Sequence, residues 1–297
     1  MMGKPESKNG LQYTAGQIAS WVCQLEVTAS KPGNVHRAAD FEDVTLGDFL
    51  SSAIALGSAI DAQPPSGGTG SMILSAVERT NLVTRTNTNL GIVLLICPLA
   101  KLVQRGEAIV PQSITAEIEA LTGAESQAVY QAIATAKAGG LSMVGKHDVN
   151  DAGSAPERII DAMEIASDRD MVAKQYCCGY TDVIEFVLPA IEEGLLRFGK
   201  ISHGIVWAHV KTMARFPDSL ISRKLGDSVA RKSAAMAAQC LEQLTNADDD
   251  DFWRSVGDLD FWLRSDGHRR NPGTTADLIA AALYVGVAND CFEMPLD

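Results

Sequence analysis

Glu26-Val-Thr-Ala-Ser-Lys31-Pro32-Gly33-Asn34-Val35-His36-Arg37 is the stretch on which the reading of the fold turns. Pro32 has no amide proton and Gly33 adopts positive φ at little cost, so the pair stops a helix. Before it, Ile18, Val22 and Leu25 recur on one helical face. After it, Leu46, Phe49, Leu50, Ala53, Ile54 and Leu56 define another. The stretch is therefore a loop between two amphipathic helices, and it runs on into an acidic turn, Asp40-Phe41-Glu42-Asp43. Capping and solvation account for some polar residues in any loop. A Lys, an Arg, a His, an Asn and several carboxylates together exceed what a turn requires.

Outward from this loop the same 3.6-residue period recurs along the chain. It predicts helices over 13–29, 45–62, 67–82, 89–105, 113–121, 124–138, 156–171, 173–198, 202–216, 219–245, 250–264 and 274–289. Strict alternation is nearly absent, aromatic residues make up only 6%, and the one Asp-Gly pair, Asp266-Gly267, follows a helix rather than joining two strands. The expected fold is all-α, a single multi-helix bundle of about twelve helices. Residues 1–12 read as a flexible N-terminus and 13–297 as one helical domain, since no linker or repeat divides it. The longest polar loop spans 145–154.

Composition narrows the functional classes. A net charge of −12 over 297 residues argues against non-specific nucleic-acid binding, which needs a basic face. A small anionic ligand stays open, given a local basic cluster, a helix N-terminus or a bridging cation. The longest apolar run, Ile92 to Val103, is broken by Pro98 and Lys101 and is too short to span a bilayer. It fits a core helix or the seam of a homo-oligomer, and periodicity does not distinguish them. The N-terminus has no secretory h-region, and Cys23, Cys97, Cys177, Cys178, Cys240 and Cys291 show no metal-finger spacing. The expected compartment is a reducing cytoplasm.

Three further polar turns stand out. Arg85-Thr-Asn87-Thr88-Asn89-Leu90-Gly91 opens an apolar helix, where amides and side chains bind ligand oxygens or simply cap. Phe216-Pro-Asp218-Ser219 caps a helix that carries Arg223 and Lys224 about one turn on, placed for phosphates or for solvent. In Asn271-Pro-Gly-Thr274-Thr-Ala-Asp277-Leu, Thr274 and Asp277 have capping-box spacing, and the rigid Asn-Pro-Gly turn before them can present free amides. The acidic run Asp248 to Asp251 reads as the start of a helix rather than a metal site.

Taken together, Glu26 with Lys31-Pro-Gly-Asn-Val, Asn87-Thr-Asn-Leu-Gly, Asp218 to Gly226 and Asn271-Pro-Gly-Thr-Thr-Ala-Asp-Leu occur in the order and approximate spacing of the triphosphoribosyl-dephospho-CoA synthase family. The chain resembles that family from about Thr14 to Ala288. The resemblance implies an all-helical transferase that takes ATP as substrate, moves its triphosphoribosyl group to the hydroxyl of 3′-dephospho-CoA and releases adenine. It departs at one place. Characterised members read Asn-Thr-His-Lys-Gly where this chain has Asn87-Thr88-Asn89-Leu90-Gly91. In that respect it resembles the branch found in archaea and one-carbon-metabolising bacteria, associated with methanopterin-type cofactor biosynthesis.

By that resemblance the transition state carries oxocarbenium character and needs a carboxylate, a proton donor for the base, and cations for an uncleaved triphosphate. The expected catalytic residues are Glu26 as base or electrostatic stabiliser, Lys31, and His36 as proton donor to adenine. Gly33, Asn34, Arg37, Asn87, Thr88, Asn89, Arg223, Lys224, Asn271, Thr274 and Asp277 are expected to bind nucleotide. Asp40, Asp43 and Asp218 are expected to hold Mg²⁺ on the phosphates. The partners expected are small nucleotide substrates, with no nucleic acid and no membrane. Two rivals share the helices: a diphosphate-ionising enzyme of the terpenoid-synthase kind, for which Asp248 to Asp251 is the sole candidate motif, and a non-enzymatic helical scaffold.

Overall fold

The computed structural model describes residues 13–136, 155–243 and 249–292. The expected flexible N-terminus and the 145–154 loop lie outside them. In chain order the helices are α1 (Ala15–Thr28), α2 (Leu46–Ala62), α3 (Thr69–Val83), α4 (Leu90–Arg105), α5 (Pro111–Glu119), α6 (Gly123–Ala136) and α7 (Ile159–Ala166). They continue as α8 (Met171–Cys178), a π-helical segment Val183–Val187 running into α9 (Leu188–Phe198), α10 (Ile201–Arg215), α11 (Ser219–Leu225), α12 (Asp227–Glu242), α13 (Asp250–Arg264) and α14 (Gly273–Ala288). A short β segment, Ser265–His268, leads from α13 toward the Asn271 turn.

The fold is all-α, and α4 and α14 sit at its centre. Both are apolar on nearly every side, the pattern of a buried helix rather than a surface one, and they pack on each other. One group of helices, α1, α2, α3 and α6, packs in succession, with α1 lying on both central helices; α9, α10, α12 and α13 form another, and α8 packs on α4, α5, α7 and α14. Residues Leu90 and Ile92 to Leu102 of α4 are buried within the chain, so the apolar run is core.

Pro98 lies inside α4 and cannot donate to the carbonyl of Leu94. That carbonyl is satisfied from outside the helix, where the hydroxyl of Tyr176 donates to it at 2.7 Å, while Tyr180 donates to the carbonyl of Leu95 at 3.2 Å. Both tyrosines are fully buried, so a proline that would otherwise leave an orphan in the core is matched by two phenols from α8 and the turn after it.

Two long helices expected from periodicity are each divided. The 173–198 stretch breaks at Gly179 (φ 59°) and Tyr180 (φ 62°), both in the left-handed region. The 219–245 stretch breaks at Gly226, whose φ of 86° no helix accommodates. The predicted 156–171 helix ends early because Asp170 caps α8 instead, its Oδ1 accepting from the amides of Val172 (2.8 Å) and Ala173 (3.3 Å).

The acidic run also finds its place. Asp250 and Asp251 occupy the first turn of α13, Asp249 pairs with Arg197 at 2.6 Å and Asp251 with Arg254, while Asp248 lies outside the described residues. No helix among the described residues is long and apolar enough to cross a membrane.

Candidate active site

A cleft of about 1610 Å³ is walled by residues of α1, α4, α6, α7, α8, α11, α12 and α14 and the turns between them. It exceeds the roughly 300–1,000 Å³ of an ordinary small-molecule pocket, which leaves room for two nucleotide-sized ligands. Its wall includes Glu26, Asn34, Asp43, Asn87, Thr88, Asn89, Arg223, Lys224, Asn271, Thr274 and Asp277. All four polar turns, widely separated along the chain, therefore contribute to one cavity.

In the first turn, the structure separates the carboxylate from its cation. Glu26, in the last turn of α1, lines the cleft, whereas Lys31 is fully buried and does not. Lys31 Nζ lies 2.9 Å from Glu26 Oε1 and donates to the carbonyls of Glu26 and, at 3.5 Å, Ala29. The Glu26 carbonyl belongs to the last turn of the helix, where a cation is favoured. Lys31, expected to be catalytic, thus holds Glu26 in place from outside the cleft wall.

Gly33 has φ 78°, and a Cβ there would press within 2.8 Å of Leu263 and Pro272. Its amide donates to Asp260 Oδ1 at 2.7 Å; Asp260 is gripped by Arg264 Nε at 2.8 Å, and Arg264 donates to the carbonyl of Asn34. Gly33 therefore serves loop packing rather than ligand contact. The amide group of Asn34 donates to Asn271 Oδ1, which ties the first turn to the fourth.

His36 does not line the cleft. Its backbone pairs with Ala39, its Nδ1 accepts from the amide of Ala38 at 3.2 Å, and burial, then the neighbouring Arg264, pushes its pKa down. A neutral imidazole facing away from the cavity is not arranged to protonate a base. Arg37 is exposed and likewise outside the wall.

In the second turn Asn87 is the cap, its Oδ1 accepting from the amide of Leu90 at 3.1 Å. Asn89 reaches Thr80 Oγ1 at 3.4 Å, and Thr88 shares a hydrogen bond of 2.5 Å with Ser52. In the third turn Arg223 pairs with Asp170 at 3.0 Å. Among the described residues Lys224 has no ion-pair partner; it faces the cleft, and burial, then Arg223 beside it, lowers its pKa.

Asp218 is only 2% exposed. Its Oδ1 accepts from the amides of Leu220 (2.9 Å) and Ile221 (3.1 Å), and its Oδ2 from the amide (2.8 Å) and hydroxyl (2.9 Å) of Thr275. Four donors saturate the carboxylate, which joins α11 to α14 and has no lone pair left for a metal. Asp40 caps α2 by accepting from the amide of Leu46 at 2.7 Å, and Asp43 pairs with His268 Nδ1 at 2.8 Å. These carboxylates do not fit a protein-built magnesium cage, and no group of three or more His, Cys, Asp or Glu able to hold an ion occurs among the described residues.

The fourth turn corrects the capping-box reading. Helix α14 begins at Gly273 with Pro272 at the N-cap and no side-chain cap bond; Thr274 accepts from Ser219 Oγ at 3.0 Å. Asp277 sits a turn further on and faces the cleft. Its carboxylate presses against Gly91 so closely that a Cβ at Gly91 would lie 2.1 Å from Asp277 Oδ2. Burial, then Glu26, Asp218 and Asp170, drives its pKa well above the carboxylate range, with only Arg223 opposing.

The cleft also holds polar residues that sequence reasoning passed over: Asp168, Arg169 and Asp170, together with Lys174, Asp227, Arg231 and His268. Asp168-Arg-Asp170 carried a readable signal, an Asp at a helix start, but the predicted 156–171 helix absorbed it.

The CitG family model, ATP:dephospho-CoA triphosphoribosyl transferase, matches residues 12–295. The chain is similar in fold to the crystal structure of an Archaeoglobus fulgidus protein provisionally named a triphosphoribosyl-dephospho-CoA synthase. The TM-score is 0.61 at 20% identity, covering 80% of this chain and 98% of that one. The curated proteins offer no match to the chain.

Proposed function

Because the chain belongs to the CitG family of ATP:dephospho-CoA triphosphoribosyl transferases, we propose that the cleft binds ATP and a dephospho-CoA-type acceptor together. There the ribose C1′ of ATP passes from adenine to an acceptor hydroxyl. The observation that carries this reading is the meeting of four sequence-distant turns on one cavity large enough for both nucleotides.

Glu26, held by Lys31, places negative charge where an oxocarbenium ion develops and accepts the hydroxyl proton. Lys224 and Arg223 face the triphosphate, which is transferred whole and so needs binding rather than cleavage. Asn34, Asn87, Thr88, Asn89, Asn271 and Thr274 supply neutral hydrogen bonds to sugar and base. Magnesium, expected to accompany ATP, neutralises phosphate charge when bound. The buried apolar side chains of the described helices form one continuous core, and this reading keeps 13–297 as one domain in a reducing cytoplasm.

A second reading concerns the acceptor. Leu90, which replaces the cationic residue of characterised members, is 8% exposed and lines the cleft. A neutral, apolar wall there favours an acceptor with less negative charge, of the kind used in one-carbon cofactor biosynthesis. Incubation with ATP and 3′-dephospho-CoA should release adenine and yield an acceptor heavier by one triphosphoribosyl group. Adenine release with another acceptor in place of dephospho-CoA supports the second reading; no adenine release with any hydroxyl acceptor overturns both.

A further inference from the structure

Resting on the transferase reading, the geometry points to Asp277 as the acid that protonates the departing adenine, working opposite Glu26 as the other half of a two-carboxylate pair. Both side chains line the same cleft, and their surroundings differ in kind. Glu26 has the Lys31 ammonium 2.9 Å away. Asp277 makes no hydrogen bond or ion pair with any described residue.

The groups around Asp277 are mostly acidic: Glu26 and Cys23 from α1, Asp218 before α11 and Asp170 before α8, with the guanidinium of Arg223 the one opposing charge. Such an arrangement favours the protonated form of Asp277, supporting what its position suggests. Two carboxyl groups whose environments drive their protonation apart are the usual signature of an acid and a base.

Gly91 is the structural reason Asp277 sits where it does, since any side chain there would collide with the carboxylate. The contact also lays the carboxyl group against the first turn of α4, the positive end of that helix's dipole. That site favours the carboxylate left once the proton is given away.

The step balances. The acceptor oxygen–C1′ bond forms as the C1′–N9 bond breaks, and the bonding pair leaves with adenine. Asp277 supplies a proton to a ring nitrogen of that base, and the acceptor hydroxyl proton passes to Glu26. A proton then returns from Glu26 to Asp277 through the cleft, so the pair resets without an external reactant.

The test pairs Asp277→Asn with two donors, ATP and an ATP analogue methylated at adenine N7, whose base leaves without needing a proton. Asn is close in shape to the protonated acid, so the variant keeps the cleft intact. Adenine release from ATP should fall by about 10²–10⁴-fold in the variant, and release from the N7-methyl donor by less than tenfold. Wild-type kcat should also fall as pH rises through the raised pKa of Asp277, a limb the variant lacks. Equal losses on both donors, or the same high-pH limb in wild type and variant, would overturn the acid role. A wild-type enzyme that releases no adenine from either donor would instead overturn the transferase reading beneath it.

Discussion

Glu26 and Lys31 form a buried ion pair, 2.9 Å from Oε1 to Nζ, of which only the carboxylate reaches the cleft. The lysine spends its other donors on carbonyls at the end of α1. The pair therefore couples the stability of the helix terminus to the orientation of a candidate catalytic carboxylate.

This coupling predicts asymmetric mutational costs. Lys31→Met leaves a buried carboxylate unpaired and should lower stability by about 3–5 kcal/mol, whereas the double substitution Glu26→Leu with Lys31→Met should lose much less. Thermal or urea denaturation of the two singles and the double closes the cycle. A double variant as unstable as the sum of the singles would show that the pair is not energetically linked. Glu26→Gln should fold and lose adenine release.

Asp277 predicts a trade between stability and activity. Its folded pKa lies well above its unfolded value, so the stability its titration supplies is complete below the ordinary carboxylate range. That stability is lost as pH rises through the folded pKa. Asp277→Asn removes the titration. The variant should match wild type near pH 3–4, roughly where free carboxylates titrate, and exceed it increasingly toward neutral pH, by at most about 1.4 kcal/mol per pH unit. Melting temperatures of both proteins across that range provide the check, and a constant difference would contradict the assignment.

The helices and the four turns were legible because apolar period and helix-stopping residues are local properties. Which side chain of each turn faces the cleft was not. Lys31 and Glu26 are five residues apart and equally polar, and only the packing of α1's end decides that the lysine turns inward. Asp218 has the same chemistry as any metal ligand, yet Thr275, 57 residues away, saturates it. The breaks at Tyr180 and Gly226 were hidden for a similar reason. Apolar spacing continues across them, and Tyr180 takes a left-handed conformation while its hydroxyl bonds α4.

Gly91→Ala isolates the contact between α4 and α14. In an ordinary helix the change would stabilise by about 0.5–1 kcal/mol. Here the new methyl meets the Asp277 carboxylate, so the side chain must move or the helices must part. The expected result is a drop in kcat of at least about tenfold, with KM for ATP changed far less, because the displaced group is proposed to act on the leaving base rather than to hold the phosphates. Steady-state kinetics against ATP would show it. An alanine variant with wild-type kcat would mean that the position of Asp277 is not critical.

Lys224 offers the complementary case. It faces the cleft with no ion-pair partner among the described residues, whereas Arg223 beside it is committed to Asp170 at 3.0 Å. An ammonium held partly out of water beside a second cation regains favourable interaction when an anion arrives. Lys224→Ala should therefore raise KM for ATP by about 10–100-fold, equivalent to a charge-assisted hydrogen bond of roughly 1.5–3 kcal/mol, with kcat changed far less. The wild-type KM should also climb with ionic strength, and the variant's more shallowly, because one of the charges being screened is gone. If Lys224→Ala instead lowers kcat at unchanged KM, the lysine acts on the transition state, and the triphosphate must be held by Arg223 and the other cations of the cleft.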